Sequence, residues 1–104
     1  MIETTLEGAL NAIADTTTPV LIDLHAEWCG YCTRTRPHLE QLSSEREDKL
    51  RVYGIDTDEH MDAFTAFKVK TLPAIILFKD GEEIARRGSG NHAELTAWLT
   101  EHGA

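Results

Sequence analysis

Val20-Leu21-Ile22-Asp23-Leu24 is the stretch that most restricts the fold. Its apolar run is nearly continuous, not alternating, as expected of a central strand covered on both faces. A second run, Ala74-Ile75-Ile76-Leu77-Phe78-Lys79, has the same character. Strands buried on both sides need helices above and below, so a layered α/β architecture follows. The 104 residues suit one domain spanning 1–104 with a single real core. Asp23 interrupts the first run, and a carboxylate there is costly unless it is paired, hydrated or neutralised. A solvated gap at the end of the sheet and a functional role both fit that pattern.

Directly after this strand, Val20 to Ala26, stands Trp28-Cys29-Gly30-Tyr31-Cys32, holding the only two cysteines. Thr33 to Asp48 then reads as helix, so the pair falls at a strand-to-helix turn with Cys29 at or near the helix N-terminus. The unpaired N–H groups of a first helical turn stabilise an anion, and thiolate is the nucleophile in disulfide exchange. Residues i and i+3 of a helical turn lie about 5–6 Å apart, within disulfide reach. One cysteine can attack a foreign disulfide and the other can resolve the intermediate. An inert staple would restrict the unfolded chain little, because the loop is so short. A zinc site wants four ligands, and there is no second cysteine pair and no H-x₃₋₅-H among the five histidines. Spacing and context favour redox chemistry, with metal or inert thiols as the alternative.

The rest of the chain frames this turn. Ile2 begins a small edge strand, and Thr4-Thr5-Leu6-Glu7 fits a capping box with Thr4 as N-cap. Leu6, Leu10 and Ile13, with Ala9, make one helical stripe. Pro37 should kink the second helix, whose Leu39 and Leu42 face inward while Arg34 and Arg36 belong to a solvated face. Leu50 to Ile55 is a strand. Asp58 caps a short helix with Met61, Phe64 and Phe67 inward. Asp80-Gly81 is a hairpin signal, so Glu82 to Arg87 returns antiparallel. Asn91 caps a last helix with Leu95, Trp98 and Leu99 inward. A net charge of −8 argues against nucleic-acid and anionic-membrane partners. No apolar run approaches membrane-spanning length. The absence of a leader at Met1, with so few cysteines, points to a cytoplasmic protein.

Ala26-Glu27-Trp28-Cys29-Gly30-Tyr31-Cys32 closely resembles the active-site segment of the thioredoxin family, and the likeness extends along essentially the whole chain. Asp23 falls where that family has a buried aspartate, Pro37 where its active-site helix kinks, and Thr71-Leu72-Pro73 at its cis-proline loop. Lys79-Asp80-Gly81-Glu82 and Gly88 match its hairpin and the glycine beyond. The resemblance implies a thioredoxin fold: a central mixed sheet of four to five strands, flanked by helices on both faces. It implies a disulfide reductase, with Cys29 as the exposed attacking thiolate, Cys32 as the resolving thiol and Asp23 as proton shuttle. Trp28, Gly30, Tyr31, Leu72 and Pro73 would form the substrate-binding surface. The implied partners are disulfide-bearing client proteins and a recharging reductase such as a thioredoxin reductase, acting on a monomer. No bound cofactor and no metal is implied, because the electrons reside in the cysteines. The rival readings are an oxidase or isomerase in an oxidising compartment, and a non-catalytic binding module. Three positions depart from the family pattern. Tyr31 replaces a proline and restores a backbone donor near the Cys29 sulfur, which raises the expected potential. His25 replaces an aromatic residue, and Val52 a lysine, beside the site.

Overall fold

The computed structural model describes residues 1–104. Nine elements follow in order: β1 Ile2–Thr4, α1 Leu6–Ala14, β2 Val20–His25, α2 Gly30–Glu45, β3 Arg51–Asp56, α3 Asp62–Ala66, β4 Ala74–Lys79, β5 Glu82–Arg87 and α4 His92–Glu101. The strands form one five-stranded sheet in the order β1-β3-β2-β4-β5. β1, β3 and β2 are mutually parallel, while β4 runs antiparallel to β2 and β5 antiparallel to β4. The continuous apolar runs are the central strands: every residue of β2 is buried, as is all of β4 except Lys79. Edge strand β5 is mostly exposed and carries Glu82, Glu83, Arg86 and Arg87, charges that discourage pairing with another chain.

Side chains alternate across a strand, so each central strand feeds two layers. Val20, Ile22, Leu24, Ile55 and Ile76 pack on one face with Ala9 of α1, Ala63 of α3 and Phe67. Leu21, Val52, Ile75 and Leu77 pack on the other with Leu39 and Leu42 of α2 and Leu95 and Leu99 of α4. Asp80 and Gly81 both take positive φ, 55° and 80°, which is the two-residue turn that suits strand twist. Asn91 caps α4 in a full capping box with Glu94.

Two local expectations shift. Thr5, not Thr4, is the N-cap of α1: its Oγ1 accepts from Gly8 N at 2.9 Å. Thr4 is committed to β1, in register with Ile55. The buried side of α1 therefore centres on Ala9, with Leu6, Ala12 and Ile13 beside it, and Leu10 is exposed. At about 100° per residue, Leu10 points away from that centre. Asp58 does not cap a helix. α3 begins at Asp62 without a side-chain cap, and Met61 is exposed, not inward. The chain from Asp56 is instead turned by its own backbone, with Glu59 N and His60 N both donating to Asp56 O. α2 continues through Pro37 to Glu45, and no helix is long and apolar enough to cross a membrane.

Candidate functional site

β2 ends at His25, and the chain turns through Ala26-Glu27-Trp28 to start α2. Cys29 is the N-cap of that helix, and Cys32 lies one turn in. The two are joined as a disulfide with Cα atoms 5.2 Å apart. Cys32 N donates to Cys29 Sγ at 3.2 Å, so the sulfur occupies the place of a capping oxygen. A negative charge on that sulfur would be favoured by the same donor and by the aligned peptide dipoles of α2. The amide bonded to the sulfur is that of Cys32, whereas the sequence pointed to Tyr31.

Cys29 was expected to be the exposed thiol. In the disulfide form it is as covered as its partner, at 6% against 5%. The bond draws both sulfurs into a small apolar cluster with Ala26, against which half-buried Leu72 packs. The Leu72–Pro73 peptide is cis, and the packing of Leu72 sets the loop before β4 beside the disulfide. Trp28 and Tyr31 stand out around it, 70% and 61% exposed. Trp28 Nε1 donates to Asp58 Oδ1 at 3.1 Å, and the Arg34 guanidinium lies 4.7 Å from the centre of the Tyr31 ring. These two contacts hold large apolar side chains in place at the surface. Apolar side chains exposed together around one disulfide form a patch of the kind that meets another chain.

Asp23 is 2% exposed, and its Oδ1 has no hydrogen-bond partner. It shares the sheet face covered by α2 with Leu21 and His25, two residues to either side. Burial pushes its pKa up to about 6, against the opposing pull of His25 and Arg36, and Glu3 adds to the rise. Asp23 is thus ionised at neutral pH yet able to hold a proton, the property of a general base or shuttle.

Beside Asp23 lies a polar cluster that the sequence did not reveal. His25 Nε2 donates to Glu3 Oε1 at 2.6 Å. Arg36 Nη2 lies 3.2 Å from Nδ1 and 3.3 Å from Nε2 of the same ring, and Arg36 Nη1 is 3.7 Å from Glu3 Oε2. Arg36 is therefore not merely part of a solvated face. Strand register explains the cluster. Glu3 on β1 and Asp23 on β2 both stand opposite Gly54 of the intervening β3. A Cβ on Gly54 would collide with the Glu3 carboxylate and come within 3.2 Å of His25 Nε2. Glycine is what lets Glu3 reach across β3. Val52, in place of the family's lysine, is buried in the apolar cluster, while neighbouring Arg51 is turned away to Asp15 at 3.2 Å. A cavity of about 390 Å³ opens where Glu3, His25, Arg36, Glu27 and Asp56 border Cys32. No three His, Cys, Asp or Glu side chains are grouped so as to hold a metal ion.

The family model described as Thioredoxin matches residues 2–101. Thioredoxin C-2 of Corynebacterium nephridii is 32% identical over 103 residues, covering 98% of this chain and 95% of that protein. The thioredoxin of Acidithiobacillus ferridurans is 39% identical over 82 residues, 78% of this chain and 76% of its own. That of Pseudomonas aeruginosa is 37% identical over 82 residues, with the same coverage, 78% and 76%.

Proposed function

The chain belongs to the thioredoxin family, and from that premise we propose how its residues divide the work of a thiol-disulfide oxidoreductase acting on client proteins. The reduced Cys29 thiolate attacks one sulfur of the client disulfide. A Cys29–client mixed disulfide forms, and the client's other sulfur leaves as thiolate. Asp23 takes the proton of the Cys32 thiol, and the Cys32 thiolate attacks Cys29 Sγ. The Cys29–Cys32 disulfide closes, the second client thiolate departs, and both client thiolates are protonated from solvent. Two electrons pass from the cysteine pair to the client, and Asp23 returns its proton to water.

Trp28, Tyr31, Leu72 and Pro73 form the surface on which an extended client segment rests, and Gly30 keeps the approach to Cys29 free of a side chain. A reductase of the thioredoxin reductase kind restores the dithiol. A monomer in a reducing compartment, the cytoplasm, is the setting in which this direction of electron flow is useful. One observation carries the reading: Cys29 caps α2 with its sulfur while bonded to Cys32 one turn in.

Cys32→Ser tests it. That variant should accumulate a covalent complex with a disulfide-bearing protein such as insulin, and Cys29→Ser should accumulate none. Intact mass spectrometry without reductant reads the result. A complex formed through Cys32 in Cys29→Ser would reverse the assignment.

A further inference from the structure

The chain carries 18 acidic against 10 basic residues. Yet four of its basic residues, Lys68, Lys70, Arg86 and Arg87, line one groove of about 300 Å³ together with Pro73 and Gly88. Arg86 is offset by Glu83, to which it makes two hydrogen bonds of 2.6 Å. Lys68 and Lys70 have no carboxylate within ion-pair distance. The Arg87 side chain turns to the opposite face of the sheet, donating to Ser89 O at 3.1 Å with its guanidinium 5.9 Å from the Trp98 ring centre, so its charge lies outside the groove. Its Nε–H is buried and has no acceptor.

The other flank of the disulfide has the opposite sign. Trp28, next to Cys29, is bonded to Asp58. The segment around Asp58 also carries Asp56, Glu59 and Asp62. The site thus stands between a cationic groove that begins at Pro73 and an acidic loop tied to Trp28.

We propose that the Lys68–Lys70 groove selects client proteins whose attacked cysteine is flanked by an acidic segment, seated across Pro73 and away from Trp28. This rests on the reading of Cys29 and Cys32 as the exchanging pair. Magnitudes decide whether local or overall charge governs the encounter. At 0.15 M salt the screening length is about 8 Å, so an approaching segment feels the groove and little of the distant carboxylates. At 0.01 M it is about 30 Å, and the overall negative charge opposes the groove. Charges at the rim of a contact act mainly on the association rate and its salt dependence.

Three synthetic disulfide peptides test the proposal. They are identical except for three residues preceding the attacked cysteine: Asp, Ser or Lys. The second-order rate constant for their reduction by the fully reduced protein is measured at pH 7 by tryptophan fluorescence. In 0.15 M salt the order should be Asp, Ser, Lys, with the Asp peptide about fivefold faster than the Lys peptide. In 1 M salt the ratio should fall to about one. Lys68→Glu with Lys70→Glu should invert the order. Lys68 sits at φ 54°, a backbone conformation asparagine tolerates, so Lys68→Asn with Lys70→Ser removes both charges without added strain and should bring the ratio toward one. Lys49→Glu with Lys79→Glu, the same change in charge at the opposite end of the sheet, should keep it. A wild-type ratio of one or less, or one that survives both Lys68/Lys70 double variants, overturns the groove assignment. Hydroxyethyl disulfide separates this from a deeper failure. If wild type reduces it and all three peptides equally fast, only the groove assignment falls. If it reduces none of them, the exchange reading falls and takes the groove with it.

Discussion

The two ends of one sheet face are built on opposite terms. Near the start of β2, Leu21 stands opposite Val52 and Leu77, and Leu39, Leu42, Leu95 and Leu99 close over them. Two and four residues further on, the same face presents Asp23 and His25. There the neighbour on β3 is Gly54, and a cavity opens beside Cys32. The apolar end is closed by leucine side chains from both helices. The polar end holds a buried carboxylate oxygen without a partner and gives up a side chain at Gly54 to admit Glu3. Stability is concentrated at the first end, and chemistry is placed at the second at some cost in stability.

Substitutions at the two ends should therefore differ in kind. The largest effect is expected at the apolar end, where Leu21→Ala should cost about 2–5 kcal/mol through lost burial and a residual cavity. Urea unfolding at pH 5 and pH 8 should return the same loss. A loss that changes with pH would mean that the two ends are coupled.

At the polar end Gly54→Ala should destabilise the wild type by about 1 kcal/mol, because the new methyl displaces the Glu3 carboxylate from His25. In a Glu3→Ala background the same change should be neutral or stabilising, since alanine is favoured over glycine within a strand by about 0.5–1 kcal/mol. A double-mutant cycle measures the difference. Additive effects would separate Gly54 from the Glu3–His25 contact.

Tyr31→Pro should have the smallest effect. An added donor on the Cys29 sulfur would stabilise thiolate, and about 30 mV corresponds to roughly 1.4 kcal/mol for two electrons. The sulfur's donor is Cys32 N, and Tyr31 N makes no such bond. The substitution should make the potential more negative by less than about 30 mV in a glutathione buffer. A larger change would show that Tyr31 acts on the sulfur after all.

What was legible in the sequence is what is set locally. Two nearly continuous apolar runs marked the central strands, Asp80-Gly81 the hairpin, Asn91 a helix start, and the Cys29/Cys32 spacing the redox turn. What escaped depends on contacts between distant segments. Thr4 looked like the cap of α1, and it is the pairing of β1 with β3 that moves the cap to Thr5. Asp58 looked like a cap because its bond to Trp28 crosses 30 positions. Arg34 and Arg36 sit among polar neighbours on α2, and nothing in that pattern shows one stacked on Tyr31 and the other against His25. Gly54 is unremarkable in the chain. Its role appears only when register sets it between Glu3 and Asp23. The near-equal burial of Cys29 and Cys32 follows from closing the disulfide against Ala26 and Leu72, a state that spacing does not specify.

Asp23 carries the central claim, that the polar end is maintained at a cost in stability. Its pKa of about 6 in the fold, against about 3.9 in an unfolded chain, amounts to about 3 kcal/mol. The stability of the disulfide-bonded wild type and of Asp23→Asn should be followed by urea unfolding from pH 3 to pH 8. Below about pH 4 the carboxyl is protonated in both the folded and unfolded chain, and no penalty applies. As pH rises from about 4 through 6, the unfolded chain gives up its proton first. The wild type should then lose up to about 3 kcal/mol relative to Asp23→Asn, levelling off above about pH 7. A stability difference that stays flat from pH 3 to pH 8, or a wild type that gains on the variant as pH rises, would contradict the account.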